Sequence, residues 1–114
     1  MIEKTEKIIM LKDFYGPLLT EKQQDVLNLY YENDWSLSEI ADSMKISRQG
    51  VHDLIKRAEL SLLDYEQRLG LLERFSLTRD CLEQVFALLQ GKNSIEEAQI
   101  DKVLKLLREV DKLI

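Results

Sequence analysis

Seven polar side chains around residue 50 are of types that bind nucleic acids. Arginine can donate two parallel hydrogen bonds to guanine, and glutamine can pair in the same way with adenine. Serine, lysine and arginine also bind phosphate oxygens, which positions a protein without reading the base sequence. The spacing predicts an exposed helical face where Arg48, Gln49, His52 and Lys56 read bases, while Ser47, Lys45 and Arg57 hold phosphates.

The positive charge of the chain is concentrated in this segment. Residues 44–57 carry four basic side chains against one acidic side chain, whereas the whole chain has a formal charge of -5. Residues 1–35 and residues 58–114 each have a net charge of -3. So small a basic surface in an acidic protein predicts weak, salt-sensitive binding by one copy, and two copies on one DNA site for useful affinity.

Two helices joined by a short turn would position these side chains. Residues 36–57 have the spacing of a helix-turn-helix, in which two helices cross steeply and meet at a small residue, here Ala41. Ser47 is placed to cap the second helix. Lys45 stands in the turn, where many such motifs have glycine, and a left-handed conformation there would cost about 1 kcal/mol. The apolar residues predicted to fill the contact are Ile40, Met44, Ile46, Val51 and Leu54.

The rest of the chain also has an all-α composition, rich in helix-forming residues and with one proline. Three capping boxes are predicted, at Thr20–Gln23, Ser36–Glu39 and Ser94–Glu97. Gly16-Pro17 should end the first helix, because the residue before proline avoids the helical region. The spacing of apolar residues predicts helices near 2–15, 20–32, 36–44, 47–69, 72–90 and 94–113.

The helix that begins at Ser47 also has an apolar seam with alternating spacings of three and four residues, typical of a coiled coil. The seam has two interpretations: packing within the chain, or packing against a second copy, with Gly70 breaking or kinking it. The predicted dimer seam consists of Ile55, Ala58, Leu62, Tyr65, Leu69 and Leu72.

Enzymatic chemistry has no support in the sequence. There is no catalytic triad, no glycine-rich phosphate loop and no ligand set with metal spacing around the single histidine. We therefore expect no enzyme activity, no cofactor and no metal. With one cysteine and no long apolar run, the chain is expected to be cytoplasmic, without a disulfide or a membrane span. The aromatic residues Tyr30, Tyr31 and Trp35 are interpreted as scaffold packing, with base stacking as the alternative.

These residues resemble a known family. Thr20, Lys22-Gln23, Tyr30-Tyr31, Trp35-Ser36, Ser38-Glu39-Ile40-Ala41 and Ile46-Ser47-Arg48-Gln49 with Val51 are similar to the YlxM family of helix-turn-helix proteins. The first part also looks like region 4 of sigma factors, although Gly50 departs from that pattern. The resemblance covers about residues 14–70, and implies a small bacterial DNA-binding protein with a regulatory role in the signal recognition particle pathway.

The sequence thus predicts an all-α protein in two parts. Residues 1–57 would carry the helix-turn-helix, and residues 58–114 would serve dimerisation or partner contact. The predicted function is regulatory DNA binding as a homodimer. The alternative is an adaptor that binds a protein or RNA component of the signal recognition particle machinery without specific DNA recognition.

Overall fold

The computed structural model describes residues 3–90 and 95–114, and these form helices without any strand. This confirms the all-α fold. A 3₁₀ turn at Gly16–Leu18 follows α1, and a π-helical turn at Asn28–Glu32 follows α2. In chain order the α-helices are α1 (Lys4–Tyr15), α2 (Glu21–Leu27), α3 (Leu37–Met44), α4 (Arg48–Leu69), α5 (Leu71–Leu89) and α6 (Glu97–Leu113).

Two of the predicted capping boxes are present. The backbone N–H of Gln23 donates to Thr20 Oγ1 at 3.2 Å, and that of Thr20 donates to Gln23 Oε1 at 3.1 Å. Ser36 and Glu39 make the same pair of bonds at the start of α3. The bonds from Ser36 lower the pKa of the Glu39 carboxyl. The third box falls on Ser94, which lies outside the described residues.

The first helix ends where the sequence predicts, but for a different reason. Gly16 keeps helical dihedral angles (φ -48°, ψ -46°), so it is not pushed out of the helical region by Pro17. The chain instead tightens into the 3₁₀ turn, in which Pro17 sits near the start. Proline is tolerated there because the first residues of a helix need no N–H partner.

The contacts divide the chain into two units, Met1–Gly70 and Leu71–Ile114. Helix α4 runs unbroken through residue 57, where the predicted division of the chain into two parts lies. Gly70 ends α4 in the left-handed conformation (φ +64°), which glycine adopts without steric cost. The division therefore follows Gly70.

The first unit packs α1, α2 and α3 around the inner face of α4. Burial of the apolar side chains between these helices fixes which side of α4 faces outward. The fully or nearly fully buried residues are Ile8, Leu11 and Tyr15 from α1, Val26 and Leu27 from α2, Ile40 from α3, and Val51, Ala58 and Leu62 from α4.

Polar groups inside this unit tie α1 and the π-helical turn to α4. The Tyr31 hydroxyl donates to Glu59 Oε1 at 2.8 Å, and Lys4 Nζ lies 3.6 Å from Glu59 Oε2. Glu59 is buried, so the two partners replace the water that its carboxylate has lost. Burial, together with this carboxylate, raises the pKa of the Tyr31 phenol. The bond supports the scaffold interpretation for Tyr31.

A buried lysine makes a second connection. Lys12 on α1 donates to Asn28 and to Glu32, which lie at the two ends of the π-helical turn. The side chain of Lys12 is only 9% exposed, so its ammonium group depends on these partners.

The second unit consists of α5 and α6, which pack against each other. Residues 90–96 separate them, and so short a connection requires packed neighbours to run antiparallel. The unit is therefore a helical hairpin.

Tyr31→Phe should reveal the bond to Glu59 through its pH dependence. The phenol ionises near pH 10 in the unfolded chain, whereas in the folded protein it stays protonated to higher pH. The contribution of Tyr31 to the unfolding free energy is therefore full below about pH 10 and falls as the pH rises. We expect the variant to lose about 1 kcal/mol of unfolding free energy at neutral pH. Urea unfolding should show that this deficit narrows near pH 11. A deficit that stays constant would contradict the assignment.

Candidate nucleic-acid interface

The turn between α3 and α4 depends on one left-handed residue. Lys45 has φ +59° and ψ +43°, and its backbone N–H donates to the carbonyl oxygen of Ala41. The N–H of Ile46 donates to the same oxygen at 3.1 Å. Ala41 is buried where the two helices meet, as the sequence predicts. The left-handed conformation is therefore required at a position where this chain has lysine.

The apolar contact under the motif is smaller than predicted. Ile40 and Val51 are completely buried, which confirms their assignment. Met44 and Leu54 are only half-buried. The prediction for Ile46 is wrong, because this side chain is 40% exposed beside the turn. These three residues border a surface groove instead of filling the core.

The start of α4 is built from a serine and a glycine that fit each other. Ser47 Oγ accepts a hydrogen bond from the backbone N–H of Gly50 at 2.9 Å, which caps the helix as predicted. A Cβ on residue 50 would lie 3.1 Å from that Oγ. Glycine therefore leaves room for the cap. The Ser47 hydroxyl hydrogen is not used in this bond, so it can still be donated to a phosphate.

All seven predicted contact residues are exposed. Gln49, His52 and Lys56 share one face of α4 because they are spaced by three and four residues. Within the described residues, the four cations make no ion pair and no hydrogen bond through their side chains, so all are available to phosphates or bases. These cations are Lys45, Arg48, Lys56 and Arg57.

Asp53 takes part in this surface, although no role was predicted for it from the sequence. Its Oδ1 accepts a hydrogen bond from Gln49 Nε2 at 3.0 Å and lies 3.5 Å from His52 Nδ1. The four-residue spacing of Gln49 and Asp53 is a known signature of such a bond. The carboxylate fixes which end of the Gln49 amide donates, and it places a negative charge beside the predicted base readers.

A groove of about 350 Å³ runs beside this face. Its apolar floor includes the half-buried residues described above, and Lys22 brings a cation from α2, far away in the sequence. Arg57 supplies a second cation and Asp53 an anion. The lining residues are Lys22, Met44, Ile46, Gly50, Asp53, Leu54 and Arg57.

The predicted dimer seam is largely occupied by the chain itself. Ile55, Ala58 and Leu62 are buried on the inner face of α4, which packs against α1 and α2. The Tyr65 hydroxyl donates to the carbonyl oxygen of Leu18 at 3.3 Å. Leu69 is 43% exposed, and Leu72 is buried but belongs to the second unit. Of the two interpretations of the seam, packing within the chain is therefore the one that the structure shows at Ile55, Ala58, Leu62 and Tyr65.

The described part of the chain shows no other kind of site. None of its helices is both long enough and apolar enough to cross a membrane. No three His, Cys, Asp or Glu side chains among these residues are grouped closely enough to hold a metal ion.

The comparison with known families agrees with this geometry. The sequence model of the UPF0122 family, described as "Putative helix-turn-helix protein, YlxM / p13 like", matches residues 2–106. The chain belongs to the UPF0122 family. This confirms the YlxM resemblance and extends it beyond residues 14–70, over which the motifs were recognised.

Relatives of similar length support the assignment. A UPF0122 protein of Desulforamulus reducens is 43% identical over 110 residues, covering 96% of this chain and 94% of that protein. One from Listeria innocua is 41% identical over 111 residues, covering 97% of this chain and 100% of that protein. One from Thermoanaerobacter sp. is 43% identical over 102 residues, covering 89% and 85%.

Lys45→Gly should stabilise the protein. Glycine adopts the left-handed conformation without the steric cost of a Cβ, although its freer unfolded state offsets part of the gain. We expect the free energy of unfolding to rise by up to about 1 kcal/mol. Lys45→Ala is the matched control, because it removes the same side chain and keeps the Cβ. Chemical denaturation in which glycine is no more stable than alanine would contradict the assigned strain.

Proposed function

We propose that this UPF0122 protein is a regulatory DNA-binding protein that inserts the N-terminal end of α4 into the major groove. The observation that supports this most is the exposed face of α4, where unpaired cations stand beside amide and imidazole side chains at the start of a capped helix. The N-termini of second helices in such motifs approach base edges. In the proposed complex, Arg48, Gln49, His52 and Lys56 read bases, while Ser47, Lys45 and Arg57 hold phosphates.

The electrostatics limit how tightly one copy binds. The basic face offers few phosphate contacts, and the acidic remainder of the chain repels the DNA backbone. Binding by a homodimer to two half-sites would multiply the affinity through effective concentration. Dimerisation is thus part of the proposal.

The proposal includes a regulatory role in the cytoplasmic protein-targeting pathway, which rests on the family resemblance alone. It assigns the protein no enzymatic activity and no cofactor. The helix-turn-helix family and the all-helical fold favour such a non-enzymatic role.

Arg48→Ala tests the function directly. Loss of a bidentate contact to guanine costs about 1–3 kcal/mol, which corresponds to roughly a five- to 150-fold weaker affinity. Fluorescence anisotropy with duplex DNA at low and moderate salt measures it. Arg68→Ala is the matched control, because Arg68 loses the same charge near the far end of α4, where it pairs with Asp64. Absence of binding at low salt, or equal binding by both variants, would rule out this mode of DNA binding.

Two substitutions of Asp53 distinguish its effect on the charge of this surface from its effect on the position of the Gln49 side chain. Asp53→Asn removes the negative charge but keeps an acceptor for Gln49 Nε2, whereas Asp53→Ala removes both. We expect both variants to bind DNA more tightly, because one repulsive charge is gone. Only Asp53→Ala should lose base preference at the pair that Gln49 contacts, as measured by binding to a randomised duplex library. Equal base preferences in the two variants would contradict the positioning role.

The adaptor function remains the second candidate, and the groove beside α4 favours it. Its apolar floor and its cations from Lys22 and Arg57 suit an apolar side chain next to a carboxylate on a protein partner. A pull-down from cell extract, with and without nuclease, separates the candidates. A partner that survives nuclease and is lost in Ile46→Asp, together with absent DNA binding, would favour the adaptor.

A further inference from the structure

Helix α6 leaves much of its apolar surface uncovered. None of the residues of α6 is buried. Val103, Leu106 and Val110 are half-buried, whereas Ile100, Leu104 and Leu107 form a second, exposed stripe, with Leu104 46% exposed. Helix α5 has a similar stripe, which includes Phe86, 67% exposed, and Leu89.

The two exposed stripes lie on the same side of the hairpin. On each helix, the exposed stripe is rotated about the helix axis by roughly a quarter turn from the half-buried face. The rotation is in the direction in which successive residues advance around the helix. Viewed from one end of the hairpin, successive residues advance in opposite senses around two antiparallel helices. Because the half-buried faces of the two helices point toward each other, opposite rotations by a quarter turn bring both exposed stripes to the same side. The hairpin therefore presents one continuous apolar face.

A hairpin of this size depends on covering such a face. Leu71–Ile114 is a two-helix unit, and units this short rarely bury enough apolar surface to be stable alone. Contiguous exposed apolar faces in such proteins mark interaction surfaces.

The charges beside the α6 stripe indicate what covers it. Glu97 and Asp101 lie along its edge in the N-terminal half, and Arg108 and Lys112 continue the same edge in the C-terminal half. Glu97, Asp101 and Arg108 make no ion pair within the described residues. Two such helices packed antiparallel about Leu104 would place Asp101 opposite Arg108, and Glu97 opposite Lys112, of the other copy. In a parallel two-fold arrangement these charged edges would lie on opposite sides of the helix pair, so the opposite charges would not meet.

We propose that this face binds a second copy of the chain, so that two α5–α6 hairpins form a four-helix bundle with their α6 helices antiparallel. A two-fold axis requires a surface that complements itself, and the charge order of α6 has that property. The surface differs from the α4 seam, which the chain itself occupies. This inference rests on the homodimer of the proposed function and names the surface that forms it, and its test is the mass of the protein in the absence of DNA.

Sedimentation equilibrium of the full chain over micromolar to hundreds of micromolar concentrations measures the dimer. We expect Asp101→Arg and Arg108→Asp each to weaken it roughly tenfold, since each change creates two repulsive pairs per dimer. The double variant should restore the dissociation constant to within about threefold, because the pairs form again with reversed sign. Asp80→Arg and Lys102→Asp make the same charge changes away from the exposed face, and should leave the dimer unchanged.

Leu104→Asp tests the apolar part. It should abolish the dimer in sedimentation equilibrium, and because the hairpin then loses its cover, part of the helical circular dichroism should be lost as well. A wild-type monomer at every concentration would overturn the proposal. So would single charge reversals without effect, or a double variant that does not recover. A failure of DNA binding would leave the dimer result unaffected, so the two proposals can fail separately.

Discussion

Burial of the inner face of α4 is the constraint on which the rest of the structure depends. Val51, Ala58 and Leu62 are enclosed by the other helices of the first unit, which fixes the rotation of α4 about its axis. That rotation decides that Gln49, His52 and Lys56 face outward. The same burial occupies the positions that resemble a coiled-coil seam. One set of contacts thus exposes the candidate interface and removes a competing use of the helix.

Local rules predicted the helices and their starts well, because capping and apolar spacing act over a few residues. The Thr20 and Ser36 capping boxes and the end of α4 before Gly70 follow from residue type and spacing alone. Ile46 and the seam were harder, because their burial depends on which distant helix covers them. A 3.5-residue spacing describes a stripe on α4 but does not say whether its own chain or another covers that stripe.

The candidate site shows the same limit. The exposure of all seven contact residues followed from placing the apolar residues inward. Lys22 could not be associated with the groove from sequence, because it comes from α2 and approaches only through tertiary packing. The bond between Gln49 and Asp53 could have been predicted, since four-residue spacing permits it. The groove itself required the knowledge that Met44, Ile46 and Leu54 are not fully covered.

The pairing of Ser47 with Gly50 has a consequence for how this surface can change during evolution. A Cβ at position 50 would lie 3.1 Å from the oxygen that caps α4, so a larger residue there requires a shift of a few tenths of an ångström at the cap. Substitutions at positions 49, 52 and 56 do not crowd the cap of α4, since these side chains point into solvent. New binding preferences could therefore arise at these three positions without any change at the cap, whereas a substitution at residue 50 has to be accommodated by the cap of α4.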